Sequence, residues 1–179
     1  YSAVPFGKSI GFKLSDAMAM AITNNLRQRY HNELWKPFGK AYRNINSISE
    51  LASSIGICGG RETHLVSYDI DVPLTYLYLT TDRGIGRCYY ILSGNLIYAV
   101  IGRFSKSLLV SDTLLEGRLL DRHGIFLVED AIVIDGHTIT LGLGDRLKLI
   151  NQLLDTHHRP DPVLDNYRVI LKDYVSYSY

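Results

Sequence analysis

The chain has 179 residues, 46% of them hydrophobic and 21% charged, which suits one compact domain and excludes disordered and collagen-like chains. Its 19 Lys and Arg against 18 Asp and Glu leave a net charge of +1, so it lacks the overall basicity of a protein that grips nucleic acid mainly by neutralising phosphates. The charge is uneven: residues 1–60 hold seven Lys or Arg against three Asp or Glu, and the remainder is acidic.

Tyr1 is not an initiator Met and no signal-peptide pattern follows it, so the chain reads as part of something longer. Ser15 is placed to cap a helix in which Ala17, Met18, Ala21, Ile22 and Leu26 recur at three- and four-residue steps, ending near Arg27 and Arg29, where cations suit a helix C-terminus. A second short helix is expected from Ser47 to Ile55, stopped by Gly56, and Gly59-Gly60 then breaks the chain. The expected organisation is a basic helical extension over residues 1–58 and a second domain over residues 59–179. In the extension, Arg27, Arg29, Lys36, Lys40 and Arg43 interleave with Tyr30, Trp35, Phe38 and Tyr42, a candidate patch for RNA or for a protein partner.

Beyond the break the period becomes that of strands: Leu65 to Tyr68, Leu74 to Leu79, Cys88 to Leu92, Leu96 to Ile101, Ser107 to Val110, Leu114 to Leu120, Phe126 to Ile134 and His137 to Leu141. Ser93-Gly94-Asn95 and Asp135-Gly136 have hairpin-turn chemistry. Asp145 opens an amphipathic helix with Leu147, Ile150, Leu153 and Leu154 on one face, and a last strand is expected from Tyr167 to Val175. The fold class is α+β, with a large antiparallel sheet and flanking helices.

Familiar chemistries find little footing. Cys58 and Cys88 are too few for a disulfide scaffold or a four-thiolate zinc site, and they suit a reducing, intracellular compartment. No apolar run approaches the roughly 18 residues of a membrane span. Gly84-Ile85-Gly86 reads as a strand turn rather than a dinucleotide-binding loop. His157-His158, flanked by Pro160, reads as a solvated loop, and no metal site is expected. Ser9, Ser105 and Ser111 lack a nucleophile elbow, and no His or Cys spacing suggests a triad.

The order of segments between residues 60 and 175 resembles the covalent nucleotidyltransferases, the mRNA capping guanylyltransferases and their DNA-ligase relatives. Leu79-Thr80-Thr81-Asp82-Arg83-Gly84-Ile85-Gly86-Arg87 resembles their first signature, in which a strand, Lys-any-Asp-Gly, Arg and a strand follow one another. Val100-Ile101-Gly102-Arg103 is similar to the segment with a ribose-contacting Arg, and Glu116-Gly117-Arg118 to the Asp-Gly-Glu strand. Phe126 to Gly136, with Glu129-Asp130, is similar to the next strand, Asp145-Arg146-Leu147 to the Arg-Leu helix, and Tyr167 to Tyr174 to the strand after it.

The resemblance implies a guanylyltransferase-type domain, truncated before its last motifs, with a pocket made from Asp82, Arg87, Arg103, Glu116, Arg118, Glu129 and Asp130. In that family a Lys amine attacks the α-phosphorus of GTP, with Mg, and holds GMP before passing it to an RNA 5′ end. Here Thr80 or Thr81 stands at the nucleophile position, Arg118 replaces a carboxylate, and Glu129 replaces a base-stacking aromatic; Asp82 fits the motif only with Arg83 as a one-residue bulge. The implied function is a degenerate, non-catalytic module in an mRNA capping, transcription or RNA-processing assembly, with protein partners or weak nucleotide or RNA-end binding and no membrane. The alternative is an active, divergent guanylyltransferase using GTP and Mg. Either way, Arg103, Glu116 and Asp130 are expected to converge on one concave face.

Overall fold

The computed structural model describes residues 11–30, 63–65, 72–120, 123–173 and 175–177. The second expected helix, the boundary near residue 58, and Lys36, Lys40 and Arg43 lie outside these residues.

The class is α+β, a mostly antiparallel sheet with two helices among the described residues. The elements are β1 (Phe12–Lys13), α1 (Asp16–Tyr30), β2 (Thr63–Leu65), β3 (Leu74–Asp82), β4 (Ile85–Ser93), β5 (Leu96–Val100), β6 (Thr113–Leu120), β7 (Ile125–Ile134), β8 (His137–Thr138), α2 (Leu143–His157), β9 (Arg168–Leu171) and β10 (Val175–Tyr177). The large sheet runs β1-β5-β4-β3-β6-β7-β8, β9 also pairs with β7, and β2 with β10 forms a separate ribbon.

Hairpin chemistry sets the centre of the sheet. Arg83 and Gly84, at φ 52° and 77°, form the two-residue turn between β3 and β4, and Asp135 and Gly136, at φ 50° and 78°, form the one between β7 and β8. The β3–β4 register runs unbroken from Tyr76 opposite Ile91 to Asp82 opposite Ile85, so Arg83 is a turn residue and not the expected bulge. The bulges lie elsewhere, between Ile91 and Ser93 on β4 and at two places where β7 crosses β6.

Four expectations need correction. Ser107 to Val110 is not a strand, because the Ser105 carbonyl accepts from the N–H groups of Leu108 and Leu109 at 3.1 and 3.4 Å and winds Leu108–Val110 into a 3-10 turn. The strand expected from His137 to Leu141 stops at Thr138, as the chain turns into α2. The last strand is broken into β9 and β10, since the Lys172 N–H still bonds to Val128 O at 2.8 Å while Val175 pairs with Leu65 of β2. Finally, β9 lies parallel to β7, Ile125 opposite Arg168 through Val128 opposite Leu171, because α2 carries the chain back to the same end of the sheet.

Both sheet faces are covered. On one, Ile150 and Leu153 of α2 pack with Leu77, Leu79, Tyr90, Leu115, Phe126 and Val128. On the other, Ala19, Leu26 and Tyr30 of α1 pack with Tyr76, Tyr78, Ile91, Ile97, Leu114 and Val133. Ser15 caps α1 as expected, its Oγ accepting from the Met18 N–H at 3.3 Å. The buried stripe of α1 is Ala19, Thr23, Leu26 and Tyr30, however, and Ala17, Met18 and Ala21 face out. Thr23 earns its inward place by donating its hydroxyl to Gly94 O at 2.9 Å, which ties α1 to the β4–β5 turn.

Candidate functional site

Thr80 and Thr81 are successive residues near the end of β3, so their side chains point to opposite faces. Thr80 is buried and faces α1; Thr81 is exposed, its hydroxyl 3.4 Å from Ile85 O. The Thr80 hydroxyl donates to Asp112 Oδ1 at 2.6 Å. The same carboxylate accepts from Tyr78 Oη at 2.9 Å, Tyr30 Oη at 2.5 Å and Arg29 Nη1 at 2.8 Å. Four donors from α1 and β3 thus meet on one carboxylate that leads into β6. Burial pushes the Asp112 carboxyl upward, but the bonds from Thr80, Tyr30, Tyr78 and Arg29 outweigh it and hold the group below the usual carboxylate range. Burial, and then the bond to Asp112, pushes the Tyr30 phenol up to about 12.

Beside this knot, Glu116 and Asp130 stand directly opposite each other on β6 and β7, both buried. Glu116 also lies opposite Tyr76, whose phenol is raised by burial and then by that carboxylate. Asp130 takes a two-pronged contact from Arg146 of α2, Nε to Oδ1 at 2.8 Å and Nη2 to Oδ2 at 3.1 Å. Arg118 and Glu129, the two departures from the family pattern on these strands, pair with each other: Arg118 Nε lies 3.1 Å from Glu129 Oε1, with side chains 7% and 3% exposed. Lys172 completes the group at 2.7 Å from Glu129 Oε2, and the Arg118 guanidinium also donates to Val72 O. Between Glu116 and Arg118 only Gly fits, because a Cβ on Gly117 would lie 2.1 Å from Leu127 O, where the β7 bulge presses its backbone against β6.

Of the expected pocket, the structure brings together Glu116, Asp130, Arg118 and Glu129. Arg103 does not join them: the chain leaves the sheet after Val100, and Arg103 extends toward Asp161 at 3.9 Å. Arg87 is opposite Thr80 and exposed, and Asp82 is exposed at the end of β3. In the candidate RNA patch, Arg29 is committed to Asp112 and Arg27 is exposed. The reading of His157-His158 as a solvated loop is also corrected. His157 ends α2, while His158 is 7% exposed, stacked on Phe104 at 4.7 Å, with Nδ1 3.2 Å from Arg103 O.

Sequence reasoning missed Asp112, Tyr30, Tyr78 and Lys172. A readable signal existed for Asp112 alone, a carboxylate directly before an apolar strand; its four donors come from up to 83 residues away. No group of three or more His, Cys, Asp or Glu suited to a metal ion occurs among the described residues. No helix among them is long and apolar enough to cross a membrane. Compared with family models and with curated proteins, the chain matches none.

Proposed function

We propose that this chain is a guanylyltransferase-like module, non-catalytic in nucleotidyl transfer, that serves a capping, transcription or RNA-processing assembly by holding protein partners. The observation that carries the reading is the state of Thr80. Its hydroxyl is spent on Asp112 at 2.6 Å, it carries no amine, and three further donors on that carboxylate leave it a poor base for making a nucleophile of Thr80. The Arg118–Glu129–Lys172 cluster supports the same reading, since groups at positions where the family binds ribose and base bond to one another. A pocket whose charges are already matched internally has little left for a nucleotide.

The test is incubation with α-labelled GTP and Mg followed by denaturing electrophoresis. No covalent label is expected, either for the unmodified chain or for Thr80→Lys, whose new ammonium would meet the Asp112 carboxylate. A labelled band from the unmodified chain would instead establish the active alternative. Partner class is read by a salt titration of single-stranded RNA binding. RNA contact loses about 0.7 log units of affinity per tenfold rise in salt for each neutralised phosphate, whereas a protein interface of apolar character changes far less. RNA binding that is unaltered by neutralising Arg27, Arg29, Lys36 and Lys40 would remove that segment as the contact.

A further inference from the structure

On the α2 side of the sheet, a second hydroxyl has a very different partner. Ser105 Oγ lies 2.5 Å from Nδ1 of His157, 52 residues further along the chain. The contact is fixed by the backbone, because the Ser105 N–H donates to His157 O at 2.9 Å and the next residue pair, Phe104 and His158, forms a bridge. Ser107 Oγ stands 3.1 Å from Ser105 Oγ. His157 is the last residue of α2, so the helix end sets its ring beside the loop that carries Ser105. The backbone N–H groups of Lys106 and Ser107, which directly follow the hydroxyl, make no backbone hydrogen bond among the described residues.

The two residues that touch the Ser105 hydroxyl, Ser107 and His157, also line a cavity of about 470 Å³ between α2, the 3-10 turn and the β7–β8 turn. Its walls include Leu108, Leu149 and Leu153 together with the polar residues Asp135, Gln152 and Thr156. A cleft of this size that combines aliphatic walls with a few polar groups is a usual form of a small-molecule site.

We propose that Ser105 and His157 are a nucleophile and general base that hydrolyse esters of short apolar acids, with the acyl chain in this cavity. Ser105 Oγ adds to the ester carbonyl as its proton passes to His157 Nδ1. The Lys106 and Ser107 N–H groups are the donors available to the oxyanion. The ester C–O bond then breaks, and the alcohol leaves with the proton from Nδ1. A water molecule, giving its proton to Nδ1, attacks the acyl carbon; Ser105 Oγ departs, recovers the proton, and the acid is released. The pair was not readable from sequence because neither residue sits in a local motif, and a helix end and a loop supply one member each.

The test uses the full chain and two probes, an alkyl fluorophosphonate and p-nitrophenyl butyrate. Expected is a phosphonyl adduct on Ser105, located by peptide mass spectrometry, together with release of p-nitrophenol. Ser105→Ala should lose both, and His157→Gln should slow adduct formation by about 10²-fold or more. Circular dichroism confirms that each variant is folded. Absence of an adduct on the unmodified chain, an adduct on another residue, or butyrate hydrolysis by Ser105→Ala at the unmodified rate would each overturn the proposal.

Discussion

Thr80 and Ser105 are both hydroxyls held in short hydrogen bonds, and the difference between their partners decides what each can do. Thr80 donates to a carboxylate that three further donors hold below the usual carboxylate range, so that group is a weak base for the hydroxyl proton. Ser105 faces an imidazole nitrogen, a group that can take up the hydroxyl proton and hand it back. Further along the sheet, toward the other end of β6, two more buried carboxylates are matched: Glu129 by Arg118 and Lys172, and Asp130 by Arg146. Around Ser105 the neighbours are a second hydroxyl and a cavity lined by both aliphatic and polar side chains. A saturated polar cluster therefore marks where the structure is being held, and an economical one beside open space marks where chemistry has room.

Breaking the saturated side should have the largest effect. Glu129→Gln leaves Arg118 and Lys172 without their carboxylate and should cost about 3–5 kcal/mol in urea unfolding. Glu129→Leu combined with Arg118→Met and Lys172→Met should recover most of that loss, because both cations that pair with Glu129 are then removed with it. A triple variant as unstable as Glu129→Gln would show that the network does more than cancel its own charges.

Asp112→Asn comes next, at about 2–3 kcal/mol, since an amide NH₂ presented to hydroxyl and guanidinium donors leaves part of the knot unpaired. Its loss should also detach the C-terminal turn of α1, visible as faster amide exchange near Arg29 and Tyr30. Protected amides there would mean that the apolar stripe holds the helix unaided.

Acid should act in two steps of opposite origin. Burial lowers the His158 imidazole below its ordinary value, so the neutral ring favours the fold; that contribution is complete above about pH 6.5 and declines as pH falls below it. Asp112 is lowered in the fold, so its contribution holds down to about pH 4 and is lost as pH falls through its folded value. Unfolding midpoints measured from pH 7.5 to 3 should show both, and His158→Phe should flatten the upper one. An unchanged upper step in that variant would assign it to another group.

The smallest change is expected for Ser105→Ala, about 0.5–1 kcal/mol by the same unfolding measurement, because its bond is only partly buried and the backbone contact to His157 remains. A loss as large as that of Asp112→Asn would make the Ser105–His157 contact a structural clip and erase the contrast with Thr80.

What could be read from the sequence was local. Turn dipeptides and period-two runs located β3 to β7, because glycine at positive φ and alternating apolar residues express themselves within a few positions. On the inward face of α1, Ile22 and Leu26 pack as their spacing predicts, but Thr23 is turned inward by a carbonyl 71 residues away, while Met18 and Met20, apolar and helix-favouring, lie 57% and 51% exposed. The parallel pairing of β9 has no counterpart in composition, since it depends on where α2 delivers the chain. Glu129 stands out in an apolar strand, but only the bulge and the arrival of Lys172 explain how a carboxylate can be kept there.

The Asp112 knot also sets an order of assembly. Arg29 and Tyr30 must wait for a carboxylate 82 or 83 residues later in the chain, whereas Thr80 and Tyr78 lie within 34 residues of it. During synthesis from the N-terminus, α1 therefore emerges well before Asp112, and the knot can close only once that residue has been made. Until then α1 exposes Leu26 and Tyr30, a face of the kind that chaperones cover.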